Sequence, residues 1–163
     1  MKTQTAIASK TINAPAEIIY NIIADYRNGH PHILPRQYFL SLDVEEGGFG
    51  AGTIVNFTMR LLGQTQSFRS IITEPQPGRL LVETDIKSQI LTSFHVVPIG
   101  NGGQSRLTIT TELKGKNAVE GAIAKLVLQK VYREELELIA EAAEDSAAIA
   151  RSNPVNKTHP ISM

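Results

Sequence analysis

His30-Pro31-His32 sets two imidazoles two residues apart. Imidazoles at that spacing suit metal ligation or proton transfer near neutral pH. Pro31 restrains the backbone between them and no third ligand follows nearby, so no metal is assigned. The reading preferred is a loop whose histidines face water at a cavity mouth. Glu83 and Asp85 alternate within a predicted strand and share a face at about 6–7 Å, a separation that acid–base chemistry can use. Arg60 and Arg69 on neighbouring strands offer another role, a cross-strand charge ladder on a solvated face, and that is the expectation here. Glu134 and Glu135 are placed on the solvated face of a helix. Gly47-Gly48-Phe49-Gly50-Ala51-Gly52 looks like a phosphate cradle, but such loops need a helix start straight after the glycines. Thr53-Ile54-Val55-Asn56-Phe57 alternates as a strand instead, and no Gly-Lys-Ser/Thr follows. The glycine segment is expected to be a flexible hairpin connection, able to move as a gate. No Gly-x-Ser-x-Gly elbow occurs. No catalytic residue and no cofactor is assigned.

The elements that must position these groups follow from periodicity. Thr11-Ile12-Asn13-Ala14-Pro15 reads as a strand end running into a turn, with Pro15 suited to the first helical position. Ile19, Ile22, Ile23 and Tyr26 recur at helical spacing over residues 15–26, and Glu17 complements the helix dipole. Residues 29–34 form a loop or a short second helix. Strands are predicted over about 3–12, 37–45, 53–61, 65–74, 79–86, 90–98 and 104–113. If neighbouring strands pair as simple hairpins, Arg60, Arg69, Glu83, Asp85, His95 and Thr108 face outward. The inner face then carries Val55, Phe57, Met59, Phe68, Ile72, Val82, Phe94, Val96, Leu107 and Ile109. That face must be covered.

The cover is a helix from about 117 to 150 whose apolar stripe changes direction. Val119, Ala122, Ile123, Leu126 and Val127 share one face, while Val131, Tyr132, Leu136, Ile139 and Ala143 lie in another sector. A kink, a break near 128–130, or an extra contact for the first half is expected. Residues 1–150 are read as one domain and 151–163 as a flexible tail.

Composition narrows the partners. Lysine plus arginine and aspartate plus glutamate are both 16, giving zero formal charge in a chain of 163 residues. Nucleic acid and acidic membrane surfaces call for a clustered positive field, so neither is expected. Cysteine is absent, and no apolar run approaches the roughly 20 residues of a membrane span. Met1–Ile7 lacks an apolar core for a secretory signal, which leaves the cytoplasm as the expected compartment.

The order Ile12-Asn13-Ala14-Pro15-Ala16-Glu17, Ala24-Asp25-Tyr26, Leu34-Pro35, Ile72-Thr73-Glu74-Pro75-Gln76-Pro77-Gly78-Arg79-Leu80, Phe94-His95-Val96-Val97-Pro98 and Glu135-Leu136-Glu137-Leu138 resembles the START-like, helix-grip superfamily over residues 3–148. That superfamily includes polyketide cyclase/dehydrase-like and lipid-transport proteins. The resemblance implies an α+β fold: a seven-stranded antiparallel sheet wrapped around a long C-terminal helix, with two short helices between strands one and two. It also implies a cavity between sheet and helix. Many relatives carry a tryptophan soon after the Asp-Tyr pair. Here Asn28-Gly29-His30-Pro31-His32 stands there, so no role of that tryptophan transfers.

The function expected is binding of a hydrophobic small molecule such as a lipid, quinone, isoprenoid or polyketide. The candidate ligand-binding set takes Tyr26, His30 and His32 from the first helix and its loop. Val55, Phe57, Met59, Phe68, Ser70, Val82, Thr84, Phe94 and Ile109 come from the strands, and Ile123 and Val127 from the last helix. The same aromatics suit a fully packed core equally well. Ser70 and Thr84 would be the few polar groups inside. The entrance is expected between loop 28–35, the glycine loop 47–52 and the first half of the last helix. Two alternatives stay open: a cyclase or dehydratase moving protons with Tyr26, His30 or His32, and an interaction module with the Val119–Val127 stripe as a surface for a homodimer or another partner.

Overall fold

The computed structural model describes residues 3–114 and 117–153. Strand β1 (Thr3–Ile12) leads into helix α1 (Ala16–Ala24), and a single 3-10 turn spans His30–His32. Six strands follow: β2 (Phe39–Glu46), β3 (Ile54–Leu61), β4 (Gln64–Gln76), β5 (Leu80–Asp85), β6 (Leu91–Ile99) and β7 (Gln104–Lys114). Helix α2 (Ala118–Ser152) ends the described chain, so the expected tail boundary at 151 moves past Ser152, and residues 154–163 lie outside the described residues.

The strands form one antiparallel sheet in the order β1-β7-β6-β5-β4-β3-β2. Strands β2 to β7 are joined as successive hairpins. β1 then pairs with β7 from Thr3↔Lys114 to Ile12↔Ser105, which brings α1 onto the concave side. Pro15 sits one residue earlier than expected: it is the N-cap of α1, in extended conformation, and its carbonyl accepts the Ile18 and Ile19 amides. Ile19, Tyr20, Ile23 and Ala24 are buried, and they join Ala6, Ile12, Leu107, Ile139 and Ala143 in one core.

Helix α2 is continuous through 128–130, so of the three expected alternatives the break is absent. Its two halves nevertheless differ. Val131, Tyr132, Glu135, Leu136, Ile139, Ala143 and Ala147 are buried. Val119, Ile123 and Leu126 remain exposed, because this half crosses the open end of the sheet. Asn117 caps the helix by accepting the Glu120 amide at 2.9 Å.

Strands β3 and β4 have the expected faces. β5 is inverted. A bulge between Thr73 and Gln76 puts Gln76 opposite Leu80 but Thr73 opposite Val82, one extra residue on β4. One extra residue exchanges the two faces of everything beyond it. Ile72 therefore lies opposite Glu83 rather than Thr84, and Ser70 opposite Asp85. Val82 and Thr84 point to the outer face, while Glu83 and Asp85 point inward. The expected ladder of Arg60 and Arg69 with these two acids does not form. Arg69 instead makes two bonds to the Glu45 carboxylate, at 2.8 and 2.7 Å, on the outer face. With Asn56 also bonded to it, Glu45 is pushed down to about 2.

The glycine segment is an anchored loop rather than a loose connection. The Gly48 carbonyl accepts the Tyr26 amide at 2.9 Å, and the Gly50 amide donates to the Ala24 carbonyl at 3.0 Å. The Ala51 amide donates to Glu74 Oε2 at 2.8 Å, and Tyr20 donates to Glu74 Oε1 at 2.7 Å. These bonds tie the loop to the end of α1.

Candidate functional site

A hollow of about 480 Å³ lies between the concave face of the sheet and the first half of α2. Alternation in β3 turns Val55, Phe57 and Met59 toward it, and Phe68 and Ser70 on β4 continue the same face. The Phe57 and Phe68 rings stack with centroids 5.0 Å apart, and Phe39 from β2 lies 6.1 Å from Phe57. Phe94 comes from β6, and Ile123, Ala124, Val127 and Leu128 supply the helix side. The outer end is bordered by Leu61 and Leu62 of the β3–β4 hairpin and by Glu120. No residue of the glycine loop borders the hollow, whereas His30 and Leu34 of loop 28–35 and the first half of α2, the other two parts of the expected entrance, do.

His30 is on the wall of the hollow and buried, not facing water as expected. His32 is exposed and outside the wall, so the two imidazoles diverge. Among the described residues no group of three or more side chains could hold a metal ion. Tyr26 and Ile109 are buried but do not reach the wall: Tyr26 lies behind Glu83, and Ile109 is packed in the core opposite Phe94. Val82 and Thr84 are excluded by the β5 inversion.

The inner end is polar. Tyr26 donates to Glu83 Oε1 at 2.6 Å, and its ring stacks on the His30 imidazole at 4.4 Å between centroids. His30 Nδ1 is 2.7 Å from the Ile23 carbonyl oxygen. A carbonyl only accepts, so Nδ1 carries the hydrogen and neutral His30 presents a bare Nε2, 3.6 Å from Glu83 Oε1. Burial pushes the His30 imidazole below its usual range, and Glu83 and the Ile23 carbonyl oppose this without reversing it. Burial pushes the Tyr26 phenol up, and the adjacent Glu83 pushes it further.

Glu135, expected in water, is buried on α2 and lines the hollow. Its Oε1 has no hydrogen-bond partner. Burial raises this carboxyl well above the usual range, and Glu83 adds to the effect. On the same helix Tyr132 shares a hydrogen bond with Thr111, which bonds Thr92 at 2.7 Å. Asp85 has a structural task. Burial pushes it up, but bonds from Ser88 at 2.6 and 2.7 Å and from the Arg69 amide outweigh that and hold it low.

Sequence reasoning missed Glu83, Thr92, Thr111, Tyr132 and Glu135 as site residues. Glu135 had a signal: it continues the i, i+4, i+8 series of Val131 and Ile139, so a carboxyl stands in a buried stripe. Glu83 had only an indirect one: a bulge sets its face, and Pro75 inside the inner strand β4 is the mark of that bulge. The cluster can accept hydrogen bonds, hold a proton at Glu135 and take one at His30.

No helix among the described residues is long and apolar enough to cross a membrane. No curated protein matches the chain in sequence. Among solved structures, the KanY protein superposes with a TM-score of 0.78 at 26% identity, covering 88% of this chain and 99% of its own. A START superfamily protein from Mycobacterium smegmatis gives 0.63 at 18% identity, with 89% and 97% coverage. The Zhui aromatase/cyclase from Streptomyces sp. R1128 gives 0.65 at 15% identity, with 95% and 99% coverage, and these last two likenesses concern the fold. Residues 3–144 match the profile described as polyketide cyclase / dehydrase and lipid transport, and with the sheet, grip and closing helix in place the chain belongs to that family.

Proposed function

We propose that the protein binds a hydrophobic small molecule, of the lipid, quinone, isoprenoid or polyketide type, in the hollow between the sheet and α2. The observation that carries this reading is a space of about 480 Å³ walled by Phe57, Met59, Phe68, Phe94 and Val127 and closed at one end by a few polar groups. Small-molecule pockets have roughly this size and this mixture. Burial of ligand hydrocarbon would supply the affinity, at about 25 cal/mol per Å² before ordering costs. Native mass spectrometry of the purified protein is expected to show an apolar adduct that is lost on denaturation. Val127→Trp, which fills the hollow from the helix side, is expected to abolish uptake of an apolar fluorescent probe. Probe binding undiminished in Val127→Trp would overturn the proposal.

A cyclase- or dehydratase-type enzyme is the second reading. It is favoured by the cluster of Tyr26, His30 and Glu83 at the inner end, where a bare imidazole nitrogen borders the hollow. His30→Asn keeps a donor toward the Ile23 carbonyl and removes the basic nitrogen. Under this reading it loses turnover out of proportion to any loss of binding.

A further inference from the structure

The ionisable groups on the wall are of one sign. Glu83, Asp85, Glu120 and Glu135 border the hollow with His30, and among the described residues its wall contains no lysine or arginine. A fatty acid or a phosphate-headed lipid would bring an anion into this space with no cation to meet it. Two of the four acids are otherwise engaged. Asp85 is held by Ser88 and the Arg69 amide, and Glu120 is exposed in the first turn of α2, where the helix dipole favours it. Glu135 lies fifteen residues further along the helix, about 22 Å deeper at 1.5 Å per residue. It is 2% exposed, and its Oε1 is unpartnered.

The titratable groups near Glu135 are Glu83 from β5, Tyr26 behind it and Tyr132 from its own helix, and His30 shares the wall of the hollow with it. Tyr26 already gives its hydrogen to Glu83, and Tyr132 is bonded to Thr111. His30 spends Nδ1–H on the Ile23 carbonyl. Apart from the proton on the Glu135 carboxyl, the inner end is therefore rich in acceptors and short of free donors and positive charge.

Resting on the ligand-binding reading above, we propose that the ligand is an apolar molecule bearing a protonated amine, held at the inner end by Glu135 and Glu83. An ammonium group offers three N–H donors from one point. They match the orphaned Glu135 oxygen, the Glu83 carboxylate and the bare Nε2 of His30. Proton balance is simple: the cation enters as R–NH3+, the Glu135 carboxyl gives up its proton, and that proton leaves to solvent. A hydroxyl head would satisfy one acceptor and bring no charge.

Titration calorimetry with dodecylamine, dodecanol and dodecanoate, below their micelle concentrations at neutral pH, separates these chemistries on one chain length. Dodecylamine is expected to bind at least about tenfold more tightly than dodecanol, a difference of about 1.4 kcal/mol, with dodecanoate weakest. Its apparent enthalpy should vary with the ionisation heat of the buffer, with the sign of proton release. Glu135→Gln should bring dodecylamine down to the level of dodecanol and remove the buffer dependence, and Glu83→Gln should weaken the preference. Equal binding of all three ligands, or a preference that survives both substitutions, would overturn the amine assignment alone. Binding of none of them would overturn the ligand-binding reading and the amine assignment with it.

Discussion

Tyr26 donates to Glu83 Oε1 at 2.6 Å, joining the residues just beyond α1 to the inner face of β5. This bond determines how the polar end of the hollow is built. Tyr26 also carries the His30 ring on its face at 4.4 Å, so Glu83, Tyr26 and His30 form one contact cluster.

Removing the phenolic hydroxyl leaves Glu83 short of a donor at a site that water reaches poorly. Tyr26→Phe keeps the stacked ring and is expected to cost about 1–3 kcal/mol of folding stability. Urea denaturation with an unchanged m-value would measure it. A cost near zero would mean that Glu83 is solvated and that the cluster is not a unit.

Glu135 and His30 should impose opposite pH dependences. The folded state raises the Glu135 carboxyl, so its contribution is fully present below the unfolded range of about 4.3 and is lost as pH rises through the folded value. Glu135→Gln removes that loss. Its melting temperature should exceed that of the parent by a margin that grows with pH from the acid side toward neutrality. The limiting slope is about 1.4 kcal/mol per pH unit. A margin independent of pH would show that the carboxyl ionises normally.

For His30 the folded state favours the neutral ring, so the unfolded chain takes up its proton first. Stability from this group is present above about 6.5 and falls as pH drops from there toward the folded value. Thermal melts of His30→Asn should lack this component. A parent and variant with parallel curves through that window would sink the assignment of a neutral buried imidazole.

How much of this was readable in advance depended on connections more than on composition. The faces of β3 and β4 were legible because Leu62-Gly63 forms a two-residue hairpin, with both φ values positive (50° and 75°), which locks Leu61 opposite Gln64. The faces of β5 were not, because Thr73–Gln76 carries an extra residue, and its one local mark is Pro75, which cannot donate to the ladder of this inner strand. The seven strands, the closing helix and the apolar wall from Val55 to Phe68 follow from alternation. The acids at the inner end do not: Leu80, Val82 and Thr84 form the more apolar face of β5, and hydropathy alone chooses that face as the inner one. His30 lies in a short turn, stacked on the nearby Tyr26 and covered by the edge of Phe94, a contact distant in the chain.

The glycine loop offers a test of anchoring. Gly50 has φ +63°, and a Cβ there would lie 2.6 Å from Glu74 Oε2, the acceptor of the Ala51 amide. Gly52 has φ +88° but open space around it. Gly52→Ala should therefore cost only the left-handed strain of about 1–2 kcal/mol. Gly50→Ala should cost that and the Glu74 bonds to Ala51 and Tyr20 as well. Equal losses in chemical denaturation would mean that the loop is free of Glu74.

The hollow itself predicts an unusual ranking of truncations. Ile139 is fully buried in the core between sheet and helix, so Ile139→Ala should cost about 2–5 kcal/mol, the usual sum of lost transfer energy and new cavity. Phe57 is larger, and in a solid core Phe→Ala costs about 3–5 kcal/mol. Here one side of the ring already borders empty space, with Phe68 stacked on it and only part of its surface shielded. The neighbours it would abandon are fewer, so Phe57→Ala should destabilise less than Ile139→Ala despite removing more atoms. Urea titration of the two variants checks the order. If Phe57→Ala proves the costlier, the aromatic wall is packed on both sides and the room for a ligand is not there.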